Sequence, residues 1–219
     1  MMERRIDIIR REATKLFLRQ GYAKTQISHI AKAAAVSVGT IYHDFVGKKE
    51  IMHYILKCTI EPEFAEQEIK RPITDELFAN LDNEIIATLS ASQEAFSARL
   101  QDDDYHFEEM ISDAFDLLLK YAAGCLFIEK NQYEFKVLAG HYNQRREQFF
   151  HTMESYIKGF IEKGEVRQVE DVALTTTLIV ELLTWWTMDR KYIPYTENDV
   201  SDQMAKAVCL DNIIAAYKR

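Results

Sequence analysis

The sequence predicts an all-α protein in two parts, a three-helix N-terminal domain at 1–47 and a larger helical domain at 48–219. Three observations carry this. Seven Gly and three Pro in 219 residues are too few for a turn-dense β fold. Apolar residues recur three and four apart along most of the chain, the period of a helix with one buried face. No glycine-punctuated alternation of strands and helices appears, which argues against a doubly wound sheet.

Taken in order, residues 3–20 form a helix with Ile6, Ile9, Ala13, Leu16 and Phe17 on one stripe, and Gly21 stops it. Thr25–Lys49 reads as two short helices around a tight turn. The first runs from about Gln26 to Ala34 with Thr25 as N-cap, burying Ile27, Ile30, Ala31 and Ala34. Ser37 caps the second, which reaches about Phe45 and turns Ile41 and Phe45 inward. Val38, Thr40, Tyr42 and His43 are left on other faces. Such a pair is a helix-turn-helix, whose second helix can enter the major groove of DNA. Val38, Thr40 and His43 then face base edges, and Gly39 permits close backbone approach. Thr25, Tyr42 and Lys48 are placed to hold phosphates, with Ser37 as the cap and Gln26 within reach of DNA.

Charge agrees with that reading. Residues 1–50 hold ten Lys and Arg against five Asp and Glu, leaving +5 there and, from a whole-chain −8, −13 on the rest. A basic head on an acidic body suits a polyanion partner approached from one side.

Gly21-Tyr22, Thr25, Ile30-Ala31, Val36-Ser37, Gly39-Thr40, Ile41-Tyr42, His43, Phe45 and Lys48 resemble the signature of TetR-family transcriptional regulators over roughly the first quarter of the chain. One position departs: the family usually has glycine before the Val-Ser pair, and this chain has Ala35. If that turn needs positive φ, alanine costs on the order of 1 kcal/mol there. The resemblance implies a homodimer that binds a near-palindromic double-stranded DNA operator and is released by a small-molecule effector.

Beyond the head, a connecting helix from about Lys48 carries Ile51, Tyr54, Ile55 and Cys58 inward, and Pro62 and Pro72 bracket a broken segment. Residues 75–91 read as helix, SASQ as a softer stretch, and Asp102-Asp103-Asp104 as an acidic helix start. The next helix, about 105–129, has the seam Phe107, Ile111, Ala114, Leu118, Tyr121, Cys125 and Ile128. Asn131 with Glu134 is expected to cap a long helix to about Lys163 with the stripe Phe135, Leu138, Tyr142, Phe149, Met153, Tyr156 and Phe160. Residues 170–191 are apolar nearly all round, and the last helix, about 199–217, presents small residues along one side. These two are expected to form the dimer interface.

An effector site in the body is implied by the resemblance more than by composition. Phe107, Tyr121, Tyr142, Phe149 and Trp185 offer stacking surfaces, and His141 with Arg145, four apart, can orient a polar group. No phosphate-binding glycine loop, nucleophile elbow or HExxH string is present, so no catalytic residue, metal or cofactor is expected. With three isolated cysteines and a charged start, the chain is expected to be a reduced cytoplasmic protein without a membrane span. Two other readings stay open: a constitutive DNA-binding regulator without effector, and a helical ligand-binding protein or enzyme with an incidental helix-turn-helix.

Overall fold

A computed structural model describes residues 3–192 and 200–219. The protein is all-α, and the described residues contain two isolated β-bridges but no strand. The chain divides into two compact units. The first is Met1–Thr88 with Ala123–Ala139, the second Leu89–Ala122 with Gly140–Arg219.

The first unit begins with α1 (Arg5–Gln20), which buries Ile6, Ile9, Ala13, Phe17 and Leu18 and ends at Gly21 with φ 91°. Positive φ at that exit is where glycine avoids the Cβ clash. Then come α2 (Ile27–Ala33), α3 (Val38–Asp44) and α4 (Lys48–Ile60). Ile30, Ala31, Ile41, Phe45, Ile51 and Tyr54, all at most 2 % exposed, fill the space among them. The N-cap of α2 is Gln26 rather than Thr25. Thr25 is buried instead, its hydroxyl donating to Gly21 O at 2.8 Å and accepting from Gln20 Nε2 at 3.1 Å.

The break between the prolines is real. Pro62–Glu66 and Asp75–Phe78 are 3₁₀ turns, and Ile73 between them pairs with Phe45 as a one-residue parallel bridge. Ile73 N donates to Asp44 O at 2.9 Å and Val46 N to Ile73 O at 3.1 Å. The segment after α4 thus returns to the exit of α3. Phe127 and Phe135 complete this unit against Phe17 and Tyr22, with ring centroids 5.2–6.4 Å apart.

The long helices are α5 (Leu81–Ala98), α6 (Phe107–Lys130) and α7 (Lys136–Lys163), followed by α8 (Val172–Thr184), α9 (Arg190–Tyr192) and α10 (Asp202–Tyr217). Trp185–Asp189, between α8 and α9, forms a π-helical turn. Three expectations are corrected here. The SASQ stretch does not soften α5, which runs through it. Asn131 closes α6 rather than opening α7, since its Nδ2 donates to Phe127 O at 2.8 Å. The acids 102–104 do not open α6; Glu165 does, accepting from Phe107 N at 3.1 Å. Of the last helix, the expected start at 199 lies outside the described residues.

The core of the second unit joins Phe96, Phe107, Ile111, Phe115, Phe149, Met153, Tyr156, Phe160, Ile179, Leu183, Cys209 and Ile213. One face of α8 and α10 stays outside it. Leu174 (70 % exposed), Leu178 and Leu182 line α8, Trp185 follows at its end, and Met204 and Val208 line α10. Among the described residues, no helix is long and apolar enough to cross a membrane.

Candidate nucleic-acid interface

The helix-turn-helix is organised from its turn outward. Ala34 ends α2, Ala35 takes φ 54°, and Val36 N donates back to Ala31 O at 2.9 Å. The turn does need positive φ, so alanine occupies a left-handed position that glycine fits without a Cβ clash. The turn delivers Ser37, whose Oγ accepts from Thr40 N at 3.0 Å and caps α3. The Thr40 hydroxyl lies 2.8 Å from the same Oγ, so its orientation is set before any partner arrives.

Behind α3, Ile41 and Phe45 are fully buried, which fixes the outward face by helical geometry. Val38 (42 % exposed) and Tyr42 (51 %) are large side chains left in solvent, beside exposed Gly39 and His43. Gln26 is exposed at the start of α2, where its backbone N–H donates to His29 Nδ1 at 3.3 Å. A short helix that buries one stripe and exposes an aromatic, an aliphatic, a hydroxyl and an imidazole presents the mixed chemistry of groove readout.

Two residues expected at phosphates are turned inward. The Thr25 hydroxyl is spent on the α1–α2 turn, as described. The Lys48 ammonium donates to Tyr22 O at 2.8 Å and Thr25 O at 3.0 Å, and lies 4.2 Å from the centroid of the Tyr22 ring. Partial burial there pushes its pKa below the usual lysine value. Lys48 therefore staples the first turn of α4 to the α1–α2 turn.

Sequence reasoning missed Asp44. Its side chain is fully buried at the end of α3 and accepts from Arg5 Nε at 2.8 Å and Nη2 at 2.7 Å, and from Arg71 Nη1 at 2.7 Å. His43 Nδ1 lies 3.1 Å away. Burial by itself would raise this carboxyl, but the bonds from Arg5 and His43 and the charges of Arg71 and Arg5 outweigh it and hold the pKa below the usual range. No local pattern announces this, because its partners lie 39 and 27 residues away.

The residues expected at an effector do not converge on one cavity. Phe107 packs on Phe160 in the core, Phe149 stacks on Phe96, and Tyr121 is buried with its hydroxyl 2.8 Å from Ser92 Oγ. Trp185 is 39 % exposed and meets Trp186 edge-on, His141 is exposed, and Tyr142 is partly buried. Arg145 alone of the set lines a polar surface groove of about 420 Å³, with Gln93, Glu94, Ser97, Gln148, His151 and Thr152. Ser97 and Thr152 hydroxyls are 3.2 Å apart there, and Arg145 donates to Gln148 at 3.1 Å.

Helices α2 and α3 with the turn between them form a helix-turn-helix, with one face of α3 exposed. Residues 9–55 match the model for bacterial regulatory proteins of the tetR family. The match covers the helix-turn-helix and the first part of α4. It is 48 % identical over 71 residues to the HTH-type transcriptional regulator HbdR of Aromatoleum sp. (strain CIB). That match spans 32 % of this chain and 30 % of HbdR. Over 100 % of this chain and 97 % of the other, the fold is like that of the ketosteroid transcriptional regulator KstR2 of Mycobacterium tuberculosis, with TM-score 0.56 at 14 % identity.

Proposed function

We propose that the protein is a dimeric transcriptional regulator, most simply a repressor, that reads a near-palindromic operator with α3 and is released by a small-molecule effector. The observation that carries the DNA-binding half is the outward face of α3, where Val38, Tyr42 and His43 stand exposed beside Gly39 and a pre-oriented Thr40. Direct readout falls to Val38, Thr40 and His43, and Tyr42 and Gln26 approach phosphates. Ser37, Thr25 and Lys48 act by holding this surface in place.

Dimerisation is supported by the apolar row Leu174, Leu178 and Leu182 on α8 with Trp185 at its end, beside Met204 and Val208 on α10. An aliphatic and aromatic row left in water at helical spacing is the surface a twofold helix bundle buries. Two copies of α3 about one DNA turn apart would then impose palindromy on the operator.

Effector release is supported by the groove at Arg145, whose His151, Gln93, Ser97 and Thr152 suit a polar, hydrogen-bonding compound better than a purely hydrophobic one. The mechanism is a population shift: the effector favours a body state that sets the heads at the wrong spacing for successive grooves. Effector and operator then weaken each other by the same factor.

Selection of duplex DNA by the purified protein tests this reading. A palindromic consensus is expected, with affinity for it lost in Tyr42→Ala. A folded, effector-free protein that enriches no sequence would overturn it.

A further inference from the structure

At the end of the recognition helix the charges do not balance. One buried carboxylate, Asp44, faces two guanidiniums, Arg5 and Arg71. Arg5 engages both oxygens of that carboxylate, through bonds of 2.8 and 2.7 Å, and Arg71 adds a second positive charge at 2.7 Å. Among the described residues, no second acid lies within ion-pair distance of either arginine. The other arginines at the start of the chain vary in their acids. Arg11 pairs with two acids, Glu3 and Glu12, whereas Arg4 and Arg10 share the partly exposed Asp7, at 2.7 and 3.6 Å.

The surplus charge is exposed and fixed. The side chains of Arg5 and Arg71 are 43 % and 34 % exposed. Arg71 stands two residues before Ile73, whose backbone is bonded to Asp44 O and Val46 N, and one Nη already rests on Asp44. Arg5 Nη2 lies 3.5 Å from the imidazole of His43, the last outward side chain of α3. A planar fork that is pre-oriented, partly solvated and short of one counter-charge is suited to a phosphodiester oxygen.

We propose that Arg71, with Arg5, is a DNA-backbone contact of this protein, and that buried Asp44 is the residue that positions both. The DNA-binding face would then extend beyond the matched 9–55 stretch into the segment that follows α4. This rests on the DNA-binding reading above and adds to it a contact from outside the helix-turn-helix.

The test measures the dependence of affinity on salt for the selected operator and for an unrelated duplex, with wild-type, Arg71→Gln and Arg71→Lys proteins. A phosphate contact is worth about one unit in the slope of log affinity against log salt. Arg71→Gln is expected to flatten that slope by about 1 on both duplexes, and Arg71→Lys to restore it. A weakened Arg71→Gln protein with the wild-type slope would assign Arg71 a structural role and overturn the proposal.

A second arm does not depend on how Arg71→Gln folds. Arg71→Cys, treated with a cationic or a neutral thiol reagent, compares two charge states on one preparation; the native Cys58, Cys125 and Cys209 are buried. The cationic adduct is expected to show the steeper slope, and equal slopes would overturn the proposal. Wild-type protein that selects no DNA would remove the DNA-binding reading itself, and this contact with it.

Discussion

At the residue scale, Ala35 is a strained hinge between two helices. With φ 54° it holds a conformation in which Cβ crowds the following carbonyl. Ala35→Gly relieves that clash, partly offset by the greater freedom glycine has when unfolded. The expected result is a gain of up to about 1 kcal/mol in denaturant unfolding, with operator affinity retained. Asp44 works in the opposite sense, as a fully buried acid kept ionised by its neighbours. Its folded pKa is below its unfolded value, so its stabilisation is complete above the ordinary aspartate pKa and disappears as pH falls through the depressed value. Melting curves should show wild-type protein well above Asp44→Asn near neutrality. The gap should narrow steadily as pH drops below about 4.

At the scale of elements, an ammonium ties the start of α4 to the α1–α2 turn. Lys48 binds the carbonyls of Tyr22 and Thr25 and covers the Tyr22 ring. Lys48→Met would leave both carbonyls without that donor. A loss of about 1–3 kcal/mol in unfolding free energy is expected. The row on α8 carries a prediction of another kind. Leu178→Glu puts a charge in the middle of Leu174, Leu178, Leu182 and Trp185, where a free chain tolerates it in water and a dimer would have to bury it. Light scattering is expected to show the wild-type chain as a dimer and this variant as a monomer with unchanged helix content.

At the scale of the whole molecule, dimerisation and DNA binding are one property in the proposed mechanism. A near-palindromic operator needs two copies of α3 held together, so Leu178→Glu should weaken specific binding severely. Non-specific, salt-sensitive binding by each head should persist. Equal operator affinity for monomer and dimer would contradict the twofold arrangement. In that mechanism the acidic remainder of the chain, at −13, would turn away from DNA and leave the +5 head to face it.

The sequence by itself determined the all-α class, the helix-turn-helix, the outward face of α3 and Ala35 as the turn residue where strain would fall if φ were positive. Each of these is local, written in residues three and four apart or in one departure from a turn's usual glycine. The same locality misled it at Thr25, Asn131 and the acids 102–104. There a good capping residue stood near a helix end, but other local bonds gave the cap to Gln26 and turned Asn131 back onto α6, and a tertiary contact brought Glu165 to the start of α6. Only the tertiary structure decided which aromatics became core, that Lys48 points inward, and that Arg5 and Arg71 meet on Asp44. The physical reason is distance along the chain. Periodicity fixes which side of a helix is buried, but which cation reaches a buried carboxylate depends on residues 27 and 39 positions away being brought together by packing.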